Sequence, residues 1–294
     1  MARPRFGEQV AWGESNAIVF ANSVIGARTA RYGDFVDLCC AITGRAPAWS
    51  LHLDEHRLGR VLFRLSGFPA SLVAGDGLFV AVGLIVGAAC GPHVPVIAGL
   101  PDPGGEDRLK ALGAAAASSG SVAMFHAMGL TPEAPDLATA LGGREPLASF
   151  EVTQEDVRAA LAHLSSVPDG TPLTAVCLGT PHFSSAEWRR LAAALANAGP
   201  CRTPINVNTA RETLRQLQAD PGFARLLANG VTPVIDTCTY ITPILQEAGG
   251  AVMTNSGKWA HYAPSNLGVE VAFGELEACV ASALAGRVVR SAGW

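Results

Sequence analysis

From residue 77 onward, short apolar runs alternate with amphipathic segments, and that alternation restricts the chain to a layered α/β architecture. Val94–Ala98 and Val122–His126 read as buried strands, with a charged loop at Pro101–Asp107 and an Ala-rich helix to about Ser119 between them. Residues 127–150, rich in Gly, Pro and Ala, read as a connection between lobes. Thr153 and Asp156 open a helix whose buried face is Val157, Leu161 and Leu164. Thr174–Leu178 is a strand expected to end in a Gly-Thr-Pro-His turn. Ser184 with Glu187 then forms a capping box, and Trp188, Leu191 and Leu195 line the next helix. Ile205–Asn208 and Val231–Asp236 read as strands, Thr209 and Glu212 open another helix, and Leu276, Val280 and Leu284 share a face of the last one. The expected fold class is α/β, with mainly parallel sheets covered by helices in two or three lobes. The expected division is an incomplete first lobe at 1–90, an α/β lobe and connection at 91–150, and a C-terminal α/β lobe at 151–294.

Composition supports buried sheets, since 49% of residues are hydrophobic and only 16% charged. A net charge of −4 without any basic run gives no footprint for nucleic acid or an anionic membrane. The apolar run Leu78–Cys90 falls short of the about 20 residues that span a bilayer, and Pro92 follows it, so it reads as a buried helix. The first residues hold no signal-peptide core, which makes the cytoplasm the expected location. Seven cysteines, an odd number, then favour reduced thiols, one or two of them on a metal.

Residues 12–29 do not fit a solvated helix face. Ala17, Phe20, Ala21, Val24 and Ile25 recur at helical spacing, yet Glu14, Ser15, Asn16, Asn22, Ser23, Arg28 and Thr29 are interleaved with them. Some of these polar groups must be buried and therefore need partners. The segment is expected to form part of a substrate and interlobe surface.

Chemistry is expected at the carboxyl ends of the strands, where open parallel sheets bind ligands. Pro181-His182, Asp236-Thr237-Cys238 and Asn255-Ser256 all fall at such ends. Cys238 is the leading metal-ligand candidate, with Asp236 and Thr237 placed to orient it. Cys177 lies three residues before Thr180, so an unbulged strand would turn the two to opposite faces. His182 is expected near a helix N-terminus, as an acceptor or ligand. Lys258 and His261 are expected on one helical face, beside Asn255 and Ser256. Cys39, Cys40, Cys90, Cys201 and Cys279 show no CxxC spacing and are expected to be structural. The chain has no GxGxxG, P-loop, HExxH or GxSxG, which leaves a nucleotide-binding oxidoreductase or a serine hydrolase without a fingerprint.

Four segments, in order, carry a resemblance: Trp12–Thr29, Gly179-Thr180-Pro181-His182-Phe183-Ser184, Asp236-Thr237-Cys238 and Thr254–Tyr262. Together they resemble the aconitase X family, the large subunit of iron-dependent dehydratases related to aconitase. Thr180 departs from the pattern, since some members have a cysteine there. Members also carry a further stretch before the Trp-Gly-Glu-Ser-Asn segment, including a cysteine that looks like a metal ligand. The resemblance thus implies a truncated chain, or one whose missing part is supplied elsewhere. It implies an iron cofactor, either mononuclear or a [2Fe–2S] cluster, held by Cys238; Cys177 could stand in for the cysteine that Thr180 replaces only if a bulge turns it to the same face. It also implies a small swivelling subunit as partner and as the source of the base. His182, Lys258 and His261 would then be catalytic, while Thr180, Asn255, Ser256 and the polar residues of 12–29 would contact a small hydroxy acid substrate. The implied reaction is dehydration of cis-3-hydroxy-L-proline to Δ1-pyrroline-2-carboxylate. The alternatives are a phosphorylated mevalonate as substrate, or a non-catalytic scaffold of the same fold.

Overall fold

The apolar runs become two all-parallel sheets, one in each of two compact units. The computed structural model describes residues 3–33, 35–245 and 250–290. The first unit comprises Met1–Ala74 with Leu78–Val157, and the second Gly75–Gly77 with Arg158–Trp294.

The first unit begins with α1 (Ser15–Phe20), which Glu14 caps by accepting from the Ala17 amide. A five-residue π-helical turn, Ala21–Ile25, continues it and closes on Gly26 in the left-handed region. These two pieces account for the helical spacing in residues 17–27. Next come α2 (Val36–Thr43), β1 (Val61–Leu65), α3 (Ala70–Ala74), α4 (Gly77–Ala89), β2 (Pro95–Ala98) and α5 (Glu106–Ser119). β3 (His126–Ala127), α6 (Leu137–Leu141) and β4 (Ala148–Val152) complete the unit. The sheet order is β3-β2-β1-β4, with every pair parallel.

Three expectations change here. The strand expected at Val122–His126 is only the two-residue β3. Residues 127–150 are no mere connection, because they hold α6 and lead into β4, which pairs with β1 from Val61↔Ala148 onward. The expected boundary at residue 90 separates β1 from β2, which are neighbours in one sheet. β4 escaped the sequence reading because Ser149, Phe150 and Glu151 are exposed, so it lacks the apolar run of a buried strand.

α4 is apolar all round, as a buried helix should be. Its glycines serve close approach: a Cβ on Gly83 would stand 2.3 Å from the Leu112 carbonyl, and one on Gly87 2.5 Å from that of Ala116, both on α5. Among the described residues no helix is long and apolar enough to cross a membrane.

α7 (Gln154–His163) follows the expected cap, with Thr153 Oγ1 accepting from the Asp156 amide at 3.2 Å. The second unit then runs β5 (Leu173–Phe183), α8 (Ser185–Ala194), β6 (Ile205–Thr209), α9 (Arg211–Gln218), α10 (Phe223–Ala228) and β7 (Val231–Ile235). β8 (Ala251–Thr254), α11 (Gly257–Leu267), β9 (Glu270–Phe273) and α12 (Leu276–Ala285) follow. The order is β7-β6-β5-β8-β9, again all parallel. Val176, Leu178, Ile205, Val207 and Val231 form a core with Trp188 and Leu191 of α8 and Leu276 and Val280 of α12. Both halves of the Ser184/Glu187 capping box are present.

Candidate functional site

β5 runs on through the Gly-Thr-Pro-His segment, which was expected to be a turn, and its pairing with β6 shifts register between Leu178 and Phe183. Gly179 makes that possible. Its φ is +79°, and a Cβ there would lie 2.2 Å from the Asn208 carbonyl. The irregularity also changes which side chains share a neighbour. Thr180 Oγ1 and Thr239 Oγ1 both donate to Asn208 Oδ1, at 3.4 and 3.3 Å, and Thr239 also neighbours the Cys177 thiol. Cys177 and Thr180 therefore meet one cluster, where simple alternation would have put them on opposite faces.

Asn208, at the end of β6, is the hub of this cluster and is fully buried. Its Nδ2 donates to the Thr237 carbonyl at 2.7 Å, and His182 Nε2 donates to the same oxygen at 3.3 Å. The Trp259 indole N–H donates to Thr239 Oγ1 at 2.9 Å. Ser256 caps α11 by accepting from the Trp259 amide at 3.0 Å, and its hydroxyl donates to the Thr180 carbonyl. The ends of β5, β6, β7 and β8 are thus joined by direct hydrogen bonds. Sequence reasoning missed Asn208, Thr239 and Trp259 as the joints. Asn208 and Thr239 stand where the sequence shows only isolated polar residues, and Trp259 lies within a motif segment without any sign of its partner.

The individual candidates differ in surroundings. Cys238 and His182 are half-buried at the rim. Asp236 does not turn to Cys238; its exposed carboxylate takes Arg211 Nε at 2.9 Å, and that guanidinium holds it below the usual carboxylate range. Its backbone is left-handed, with φ 58°. Burial pushes the Cys177 thiol up to about 12, so it is a poor thiolate. Lys258 is buried, at 4% exposure, while His261 is exposed, so the two do not share one environment. Partial desolvation of the His261 ring, and then the nearby His163, lower its imidazole from the ordinary value. None of the seven cysteines forms a disulfide; Cys40, Cys90 and Cys279 are buried and Cys201 half-buried, but Cys39 is exposed instead of structural.

The polar residues of 12–29 find their partners inside the first unit. Asn22 Nδ2 donates to the carbonyls of Thr29 and Ala123, both at 3.0 Å, and its Oδ1 accepts from the Thr29 amide at 3.1 Å. Ser23 Oγ accepts from the Phe125 amide at 2.8 Å, and Thr29 Oγ1 from that of Trp12 at 3.4 Å. Arg28 pairs with Asp54 at 2.9 Å and with Glu133 at 3.0 Å. Arg57, which the sequence did not mark, is 2% exposed and grips Glu133 through Nε and Nη2, at 2.9 and 2.5 Å. Its other donors reach Asn22 Oδ1, Asn22 O and Leu51 O at 2.9, 3.0 and 2.8 Å. Ser15, Asn16 and Glu14 lie at the start of α1, half-buried or exposed.

The family resemblance implies iron, and the fit can be tested on these side chains. Among the described residues no three of His, Cys, Asp and Glu lie together as a metal would require. Cys177 is shut in and protonated, and Asp236 is occupied by Arg211. The described residues therefore do not make a complete iron site by themselves.

The two all-parallel sheets with their covering helices define an α/β protein of the open parallel-sheet class. The chain belongs to the aconitase X family. Models of the first, second and third aconitase X domains match residues 1–55, 59–162 and 173–285. The chain is 44% identical to the cis-3-hydroxy-L-proline dehydratase of Pseudomonas aeruginosa, over 96% of its own length and 49% of that protein. It is 32% identical to the phosphomevalonate dehydratase large subunit of Methanocaldococcus jannaschii, over 93% and 67%. The crystal structure of Thermococcus kodakaraensis aconitase X (holo-form) superposes with a TM-score of 0.84 at 29% identity, over 95% of this chain and 69% of that one. The chain spans about half the length of the two hydroxyproline dehydratases it matches.

Proposed function

We propose that this chain provides large-subunit domains of an iron-dependent dehydratase that converts cis-3-hydroxy-L-proline to Δ1-pyrroline-2-carboxylate and water. The observation that carries the reading is the 44% identity to a protein of that name across nearly the whole chain. The joined strand ends, where the Ser256 hydroxyl holds the Thr180 carbonyl and His182 that of Thr237, support it as a place to bind and orient a small hydroxy acid. Iron, when bound, supplies Lewis acidity to a poor leaving hydroxide. Cys238 is the residue of this chain best placed to reach it, being a half-buried thiol at the rim where Cys177 is enclosed. His182 and Lys258 would orient the carboxylate. Relatives named as large subunits favour a small-subunit partner, of the swivelling type, that brings the base.

The test is an assay of the chain, completed with the further large-subunit sequence its relatives carry and with a small-subunit partner, loaded with iron and offered cis-3-hydroxy-L-proline and, in parallel, a phosphorylated mevalonate. Dehydration of the hydroxyproline, with at least a tenfold loss of bound iron in Cys238→Ala, is the expected result. Turnover of the mevalonate alone would favour the second reading, which the 32% identity to a phosphomevalonate dehydratase large subunit keeps in play. Full turnover by the chain without a partner would overturn the need for one.

A further inference from the structure

A cavity of about 490 Å³ opens at the amino ends of β5, β6 and β7, within the second unit. That is the size of a small-molecule site. Asn206 and Thr232 stand in register on neighbouring strands, and alternation puts both on the sheet face that carries Asn208, two residues further along β6. Ala175 lines the cavity beside them, Arg202 stands at its edge just before β6, and Ile244 and Leu245 add an apolar wall. Polar groups further along this face are tied to one another, as Asn208 shows. Here they are not. Among the described residues the Asn206 amide, the Thr232 hydroxyl and the Arg202 guanidinium have no hydrogen-bond or ion-pair partner in the protein. The Arg202 stem is nevertheless held in place. The amides of Arg202 and Thr203 donate to the Ala283 carbonyl at 2.9 and 3.1 Å, and a Cβ on Gly286 would stand 3.3 Å from Arg202 Cβ.

We propose that this cavity binds a small organic carboxylate, one ring in size, at the opposite end of the strands from the candidate site. A guanidinium fork matches a carboxylate through two parallel N–H donors. Asn206 and Thr232 offer donors and acceptors to a further polar atom, and Ala175, Ile244 and Leu245 cover the apolar body. A phosphate would use the same fork, but it would leave the apolar wall unused, and the described lining supplies one cation against its two charges. The wall is also tied to Cys238. The Ile241 and Thr242 amides donate to the Cys238 carbonyl at 3.1 and 3.3 Å, and the Thr242 hydroxyl donates to it at 3.0 Å. Occupancy therefore braces the segment that carries Cys238. Binding is read directly on the chain, so the proposal is independent of the dehydratase reading.

Benzoate titrated into the full chain is the probe, followed by amide NMR shifts, with benzamide as its uncharged counterpart. The expected result is saturable binding in the millimolar range, with shifts centred on Asn206, Thr232 and Ile244 and slower hydrogen exchange at 241–245. Benzamide, and benzoate offered to Arg202→Gln, should each bind at least tenfold more weakly. Arg189→Gln, at an exposed site on α8, should bind benzoate like the parent chain. Asn206→Leu keeps the arginine and should still lose several-fold in affinity, which separates a built cavity from a bare surface charge. Thr232→Val, at an exposed position, repeats that test if Asn206→Leu does not fold. Circular dichroism confirms the fold of each variant. No saturation, equal affinity for benzamide, binding indifferent to Arg202→Gln, or shifts centred elsewhere would each overturn the proposal. Inorganic phosphate that displaces benzoate at a lower concentration than benzoate itself needs would overturn the assignment to a carboxylate.

Discussion

The two units solve the same problem, how to bury polar groups, by different means. In the first, charge does it: Arg57 and Arg28 share Glu133, and the Arg57 guanidinium also holds Asn22 and the Leu51 carbonyl. In the second, neutral groups do it: Asn208 ties Thr180, Thr237 and Thr239, with Trp259 and Ser256 behind them. A buried ion pair with every partner satisfied is costly to break from one side, because the remaining charge stays in a poor solvent. A neutral cluster loses less when opened and leaves no orphan charge. Residues 12–29 are thus braced as a scaffold, while the strand ends keep groups such as His182 and Cys238 at an accessible rim.

If this contrast is right, Arg57→Met should be the most damaging of the following substitutions. It leaves Glu133 with Arg28 alone and removes donors from Asn22, for a loss of about 3 kcal/mol. Urea unfolding, with hydrogen exchange at β1 and β2 to locate the effect in the first unit, checks it. Asn208→Ala should cost about 2 kcal/mol, and exchange should quicken at Thr180 and Thr237 while β1 stays protected. Equal costs, or a larger one at Asn208, would break the comparison.

A smaller effect should separate the units by pH. His126 is buried in the first unit; its Nε2 donates to the Arg57 carbonyl at 2.7 Å and its Nδ1 has no partner among the described residues. Burial lowers its imidazole below the ordinary 6.5. The unfolded chain therefore takes up a proton before the folded one does. Stability from this group is full above about 6.5 and falls as the pH drops towards the lower folded value. His52 is shifted in the same direction, also by burial. Urea midpoints measured down an acid series should decline, and His126→Gln should flatten part of that slope. The smallest effect belongs to Arg211→Ala. Its pair with Asp236 lies in solvent, and the unfolding midpoint should not move resolvably.

Much of this was legible beforehand where a residue's local neighbours settle its state. The Ser184/Glu187 box, the Thr153 cap, the apolar helix α4 and the strands β5 to β8 follow from periodicity and capping within a few residues. The need for partners around Asn22 and Arg28 was also legible, but their identity was not. Arg57 and Glu133 lie 35 and 105 residues away from Asn22 and Arg28, and nothing local marks either. Strand β4 was missed for a related reason, since its exposed residues are committed to a strand by pairing with β1 and not by a local pattern.

The sequence by itself determined the α/β class, the placing of motifs at strand ends and the demand that polar groups in 12–29 be satisfied. Each of these rests on residue type and short-range spacing. Only the tertiary structure decided that Cys177 and Thr180 meet the same cluster, that Asp236 answers Arg211 instead of Cys238, and that Lys258 is buried while His261 is not. The physical reason is that burial and partner choice depend on which strands and loops pack together. A register shift at one glycine, Gly179, is enough to redirect the side chains that follow it.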